Sequence, residues 1–345
     1  MKYKVCTLCM TYNHGPYIKD ALDGFAKQET KFPVVSVIID DASTDGTVDV
    51  IRQYMDNSFE FDTAEAYKKD TVYGRVVYAR HKDNKNCYFA VVFLKDNLYQ
   101  CGKNDQKYEY IREWTDNAEF MAFCEGDDYW TAPEKLQVQV EAMEQHPELD
   151  ISAHTCKRVH VQDENLYEYR RLGDTIMVVS PEKVIMGEGS YVITESLMMR
   201  QSLWRRKEEI PFWRMMDYDY TIQIAGALRG GLLFLPDCMA NKRYGVPGSF
   251  TSKHKVSNKK YKVDYNERKN MMLEQLDAYT DGKYHKIIYK RILLNNIRNY
   301  NTSKENRAYL KRYRGGFDDI SFSRKIRILA LCYLPFASFA YNHIK

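Results

Sequence analysis

The stretch Glu119-Phe120-Met121-Ala122-Phe123-Cys124-Glu125-Gly126-Asp127-Asp128-Tyr129-Trp130 decides the reading of this chain, because an apolar run ends abruptly on three carboxylates. Carboxylates repel one another and are costly to bury, so a cluster at the end of a buried strand calls for a cation or strong hydrogen-bond donors. A hard divalent cation such as Mg²⁺ or Mn²⁺ takes one or two carboxylates and completes its shell with water and phosphate oxygens, and Asp127 and Asp128 meet that need. Gly126, without a Cβ, lets a ligand approach the main chain. The plainer alternative is an acidic turn leading into a helix whose first turn holds Pro133 and Glu134.

Upstream, the same grammar recurs. Lys4 to Met10 reads as a buried strand running into Thr11-Tyr12-Asn13-His14-Gly15-Pro16, followed by a helix with Tyr17, Ile18, Leu22 and Phe25 on one face. Val34 to Ile39 is a second strand, ending on Asp40-Asp41-Ala42-Ser43-Thr44-Asp45 and followed by a helix through Val48, Ile51 and Tyr54. Strand, polar turn, helix argues for a parallel sheet whose ligands gather at the carboxyl ends of the strands. A third strand is expected over Tyr73 to Ala79, delivering His81-Lys82-Asp83-Asn84 to the same edge, and then a helix near Tyr88 to Tyr99.

Downstream, a helix is expected from Pro133 to Gln145 and strands over Ile151 to His160, Met177 to Val179 and Leu232 to Leu235. Met216-Asp217-Tyr218-Asp219 opens another helix, and Gly245 to Ser252 forms a loop. Near residue 255 the texture changes to long helical patterns rich in Lys, Tyr, Ile and Leu, which divides the chain into 1–255 and a basic helical region 256–345.

The 345 residues suffice for a core without disulfides, and 44% hydrophobic with 28% charged residues is ordinary for a globular protein. A net charge of +4 against 51 basic and 47 acidic residues implies no nucleic-acid surface. Several of the eight cysteines, among them Cys6, Cys9, Cys124 and Cys332, sit inside apolar runs, which fits a reducing cytoplasm. No charged-then-apolar leader is read before the first strand.

With these turns in view, the sequence resembles the family 2 glycosyltransferases, inverting sugar transferases of the GT-A fold, over roughly its first three quarters. The residues that carry the resemblance are Thr11-Tyr12-Asn13, Asp40-Asp41-Ala42-Ser43-Thr44-Asp45, and Glu125-Gly126-Asp127-Asp128-Tyr129-Trp130 with Pro133 and Lys135-Leu136. The resemblance implies an α/β fold, a Rossmann-like mixed sheet flanked by helices, with a C-terminal helical extension. It places Thr11, Tyr12, Asn13, Asp40 and Asp41 around the nucleotide, with His81 and Asn84 as further contributors. Glu125, Asp127 and Asp128 match the acidic motif that divides between ribose contact and metal binding, Glu125 standing where Asp is commoner.

Asp217, with Asp219 behind it, matches the general base, whose other reading is a helix N-cap. A base on the acceptor hydroxyl, opposite a leaving nucleotide neutralised by metal, is what one-step inversion needs. Thr194 and Glu195 fall where the acceptor pocket is shaped. Lys242, Arg243 and His254 flank the loop, in reach of the diphosphate or metal, with His254 read rather as a solvated loop histidine.

The implied activity is Mn²⁺- or Mg²⁺-dependent transfer from a nucleotide sugar, a UDP-hexose, to a glycan or lipid-linked glycan in capsule, O-antigen or exopolysaccharide synthesis. The competing reading is an inactive nucleotide-sugar- or glycan-binding subunit at the membrane, and Asp128 and Asp217 together speak against it. The uncharged run after Arg327 is too short to span a bilayer and is interrupted by Pro335. Its bases either meet anionic headgroups, placing a cytoplasmic enzyme at the inner face of the plasma membrane, or belong to a final helix packed on the catalytic domain.

Overall fold

A computed structural model of the chain describes residues 3–162, 166–216, 218–249, 259–297 and 302–334. Its strands are β1 (Tyr3–Thr11), β2 (Val34–Asp40), β3 (Phe59–Glu60), β4 (Tyr67–Asp70), β5 (Gly74–His81), β6 (Cys87–Leu94), β7 (Ala118–Phe123), β8 (Tyr129–Trp130), β9 (Ile151–His160), β10 (Leu166–Tyr169), β11 (Met177–Val179), β12 (Met198–Arg200) and β13 (Leu232–Tyr244). They form one mixed sheet in the order β11-β13-β9-β12-β7-β1-β2-β6-β5-β3, with β10 on β9, β4 on β5 and β8 on β13.

The centre of the sheet is parallel. β1 runs alongside β2 and β7, and β2 alongside β6. Every residue of β2 and β6 is buried, as expected of strands covered on both faces. Helix α1 (Ile18–Ala26) covers the sheet with Ile18, Ala21, Leu22 and Phe25, spaced three and four apart. Helix α2 (Thr47–Ser58) does the same with Ile51 and Met55, entering through Gly46 at φ 93°, where a side chain would be strained. Phe25 meets Trp130 edge-on at 5.0 Å, and truncating such a ring to Ala costs about 3–5 kcal/mol.

Three expectations are corrected here. The run Cys-Tyr-Phe-Ala-Val-Val-Phe-Leu, expected as the start of a helix, is the strand β6. A continuous apolar run of eight has no period of its own, and burial on both sides decides for a strand. β5 is antiparallel to β6, so His81 and Asn84 lie at the opposite edge of the sheet from Thr11 and Asp40 rather than beside them. Finally, β13 continues through Tyr244 instead of ending at Leu235. Its register slips between Leu235 and Ala240, around Pro236, which has no N–H for the ladder.

Two compact units result. The sheet unit comprises Met1–Val179, Ser190–Lys207 and Gly226–Lys253; the helical unit comprises Ser180–Gly189, Glu208–Ala225 and His254–Lys345. The helical unit thus draws in two segments from mid-chain that a change of texture near residue 255 does not mark. Within it, Met272, Leu273 and Leu276 of helix Lys259–Tyr279 and Ile288, Ile292 and Leu293 of helix His285–Asn296 are buried. The Asn270 and Asn296 side-chain amides exchange hydrogen bonds of 3.0 and 2.7 Å, and Glu188 receives Lys269 at 2.9 Å and Arg291.

Candidate active site

Thr11 and Asp40 end β1 and β2 side by side. After β7 the acidic turn keeps to the same edge, since Cys124 N–H donates to Leu8 O at 3.0 Å and Gly126 N–H to Met10 O at 2.9 Å. The two loops that leave this edge are laced together. Asn13 N–H donates to Ser43 Oγ at 2.9 Å, Thr44 N–H to Asn13 Oδ1 at 2.8 Å, His14 N–H to Thr47 Oγ1 at 2.9 Å and Gly15 N–H to Asp45 Oδ2 at 2.9 Å. Asn13 (φ 57°) and Ala42 (φ 61°) take left-handed backbone to close these turns. Burial pushes the Asp45 carboxyl up, and the hydrogen bonds from Thr47 and Gly15 outweigh it, holding Asp45 below its ordinary range.

Within this frame three buried polar atoms have no partner: Thr11 Oγ1, His14 Nδ1 and Asp40 Oδ1. The other Asp40 oxygen accepts Ser43 N–H at 3.1 Å, and burial raises the Asp40 carboxyl above its ordinary range. Buried polar atoms left unpaired cost about 1–3 kcal/mol each, so their concentration at one strand edge marks a place built for a ligand. Gly126 adjoins two of them. A Cβ there would lie 2.6 Å from Thr11 Oγ1 and 2.9 Å from His14 Nδ1, so no larger residue fits. Burial depresses the His14 imidazole, with Asp127, Asp45 and Asp40 opposing.

The two aspartates of the acidic turn face different surroundings. Asp128 is 1% exposed. Its carboxylate accepts Arg243 N–H at 2.6 Å and the Lys242 ammonium at 3.1 Å, and that ammonium also reaches Glu195 at 3.1 Å. Burial pushes Asp128 well above the ordinary range, with Glu195 adding to the push. Burial pushes Glu195 up too, but the Lys242 charge together with hydrogen bonds from Asp128, Lys242 and the main chain outweighs it and holds Glu195 below its ordinary range.

Asp127 instead keeps a side chain that is 14% exposed, with His14 Nε2 4.0 Å from its carboxylate. Its carbonyl accepts the Arg243 guanidinium at 3.0 Å; Arg243 also pairs with Asp20 and lies 4.4 Å over the Tyr129 ring. The short pairing of β8 with β13, Trp130 opposite Ala240 and Tyr129 opposite Asn241, carries Lys242 and Arg243 to the turn.

Beneath the turn, Trp130 Nε1 donates to Glu195 O at 3.0 Å, and the Lys135 ammonium lies 4.0 Å from the Trp130 ring centre and 2.7 Å from Gln139 Oε1. Lys135 is fully buried, which pushes its pKa down to about 7.

Among the described residues no group of three or more His, Cys, Asp and Glu is arranged to hold a metal ion. The Asp127 carboxylate is part-exposed, and the bonds from Lys242 and the Arg243 main chain go to Asp128 instead. This donor set suits a cation that takes one or two carboxylates and completes its shell from water and a diphosphate, and does not suit a closed protein cage.

The remaining sequence-derived candidates are dispersed. Asp41 is spent on structure: it accepts Leu98 N–H at 2.9 Å, Tyr99 N–H at 3.2 Å and the buried Lys107 ammonium at 2.8 Å, pinning the loop after β6. The Tyr12 hydroxyl accepts Gln100 Nε2 at 3.4 Å, and the Asn13 side chain is the loop fastener described above. The Asn84 amide donates to Ala26 O and Gln28 O, and His81 Nδ1 accepts the N–H groups of Asp83 and Asn84, both at the far edge. Thr194 and Glu195 form a buried 3₁₀ turn, so Glu195 lies beneath the acidic turn and not on an open acceptor wall. Glu125 follows Cys124 in the turn, and Asp128 N–H donates to its carbonyl at 3.1 Å. Asp217 and His254 lie outside the described residues; Asp219 sits in the first turn of helix Tyr218–Ala227, in the helical unit.

His14 and Lys107 were not expected here. His14 sits inside the first polar turn and could have been suspected from its neighbours, whereas nothing near Lys107 points to Asp41.

Residues 8–86 match a sequence-family model described as Glycosyl transferase family 2. Curated relatives from Mycobacterium tuberculosis and Mycobacterium bovis, both named as uncharacterized proteins, are 28% identical over 243 residues. The match takes in 70% of this chain, and the chain spans 59% of those relatives' length. Among solved structures, S. aureus TarS 1-349 in complex with UDP-GlcNAc superposes with a TM-score of 0.58 at 15% identity, covering 99% of this chain and 92% of that one. The mannosyltransferase PcManGT from Pyrobaculum calidifontis, in complex with GDP-Man and Mn²⁺, superposes with a TM-score of 0.50 at 14% identity, covering 99% and 84%. With a large mixed sheet flanked by helices, the chain has the GT-A fold, and over residues 8–86 its sequence is similar to family 2 glycosyltransferases.

Proposed function

We propose that the chain transfers a hexose from a nucleotide sugar, in the first instance a UDP-hexose, to a hydroxyl of a glycan or lipid-linked glycan, with inversion. The observation that carries the reading is the set of unpartnered buried atoms, Thr11 Oγ1, His14 Nδ1 and Asp40 Oδ1, gathered at one strand edge beside Asp127. Such atoms gain most from a polar ligand with several donors and acceptors, as a nucleoside diphosphate has. The solved relatives hold UDP-GlcNAc and GDP-Man, which supports the same class of donor here.

In this reading Asp40 and Thr11 hold the base and ribose. Asp127 holds Mn²⁺ or Mg²⁺, which when bound offsets the charge of the departing diphosphate. Asp128, Glu195, Lys242 and Arg243 fix the turn so that Asp127 points outward. Asp217, directly before helix Tyr218–Ala227, takes the proton of the acceptor hydroxyl, the step that lets it attack the sugar carbon opposite the leaving group. Surface-polysaccharide synthesis is the setting proposed.

Calorimetric titration of UDP with and without Mn²⁺ tests the binding half. Metal-enhanced binding that weakens at least tenfold in Asp40→Asn is expected. Equal affinity in wild type and Asp40→Asn would remove the nucleotide from this edge.

A further inference from the structure

The last described helix, Phe322–Tyr333, carries apolar residues on two sides. Ile328, Leu331 and Cys332 are buried, and the helix is fastened to Ser303–Arg312: Asn306 Nδ2 donates to Leu331 O at 3.2 Å and the Arg307 guanidinium to Cys332 O at 2.8 Å. That packing, on a neighbouring helix of the same unit, uses one side of the helix only. On the outer side Phe322 is 78%, Ile326 53%, Leu329 42% and Tyr333 59% exposed, at spacings of four, three and four that make one stripe. Leu334, 58% exposed, follows it. A packed surface helix ordinarily turns polar residues outward, and a contiguous apolar stripe marks an interaction surface.

Charge chooses the partner. Residues 302–334 hold eight Lys and Arg against three Asp and Glu. Arg324 and Arg327 are exposed on the same helix, Arg307 lies 6.0 Å from the Tyr333 ring, and Lys311 and Arg314 are exposed nearby in sequence, whereas Arg312 is engaged by Glu274 at 2.7 Å. The sequence from Pro335 to Lys345 contains no acid and adds Phe336, Phe339, Tyr341 and Ile344. Bases with a bulky apolar and aromatic stripe are the composition of a helix that lies in a headgroup layer. No described helix is long and apolar enough to cross a membrane.

We propose that the outer face of Phe322–Tyr333 docks on an anionic lipid surface, Phe322, Ile326, Leu329 and Tyr333 entering the headgroup boundary while the neighbouring bases meet the headgroups. The inference rests on the helical unit and stands whether or not the strand-edge site transfers sugar.

The chain of residues 1–345 is floated with phosphatidylcholine vesicles, with and without phosphatidylglycerol, at low and high salt. Flotation is expected with the anionic vesicles at low salt. The triple variant Phe322→Ser, Ile326→Ser, Leu329→Ser should weaken it at least tenfold with melting unchanged, because those side chains are exposed. Arg327→Gln should weaken it about fivefold, the change expected for one base near a charged surface. No flotation of the intact chain, equal flotation of the triple variant, or equal binding to neutral vesicles would overturn the proposal. So would a concentration-dependent dimer abolished by the triple variant, which would give the stripe to a second copy.

Discussion

Replacing the two aspartates of the turn one at a time separates a ligand-facing group from a structural one. Asp128→Ala removes the acceptor of the Arg243 main-chain N–H and one of the two carboxylates around the Lys242 ammonium, at a position 1% exposed. Breaking a buried charged pair by deleting one partner costs about 3–5 kcal/mol. The Lys242 side chain is 29% exposed and regains some water, which puts the loss near the lower end, about 3 kcal/mol. For a unit of this size that lowers the melting temperature by about 6–12 °C.

Asp127→Ala removes a side chain that is 14% exposed and 4.0 Å from its His14 neighbour, and should cost about 0.5 kcal/mol or less. Thermal melts of the two variants, paired with Mn²⁺ titrations of donor hydrolysis, give the comparison. Asp128→Ala is expected to melt early. Asp127→Ala is expected to melt with the wild type and to lose its response to metal. If Asp128→Ala melts with the wild type, or Asp127→Ala falls as far as Asp128→Ala was expected to, the division of labour drawn here is wrong.

Two further outcomes are expected. Asp217→Asn should bind donor normally and lose about 10²- to 10⁴-fold in turnover, the usual scale of a lost general base; full activity there with loss in Asp219→Asn would exchange the two. Lys135 carries a pH signature. The folded amine gives up its proton near 7 and the unfolded one near 10.5, so between those values the unfolded state holds more protons and stability rises with pH. Denaturant melts at pH 7 and 8.5 should show wild type gaining about 1.5 kcal/mol relative to Lys135→Met. Parallel profiles would mean that the buried amine stays charged.

The strand-edge loops could be read directly because each couples an apolar run to a cluster of short polar residues, a local pattern that survives in sequence. The direction of β5 was misjudged although a cue was present: five residues separate His81 from Cys87, enough for a hairpin and too few for a parallel crossover. β6 hid because its apolar run is continuous. The Asp128–Lys242–Glu195 cluster joins residues 114 and 47 positions apart, and no local pattern encodes a pairing that depends on β13 lying beside both β9 and β8. Asp41 illustrates the converse. A motif residue expected to meet nucleotide is occupied by Lys107, whose burial is a property of the folded loop alone.

The most direct test of the central claim is turnover. The chain of residues 1–345 is incubated with a panel of nucleotide sugars and Mn²⁺, and nucleoside diphosphate release is followed with and without EDTA, alongside Asp127→Ala. The account predicts release from a UDP-hexose that stops with EDTA and is absent in Asp127→Ala. Absence of release from every donor while nucleotide still binds, or release that continues unchanged in EDTA, would contradict it.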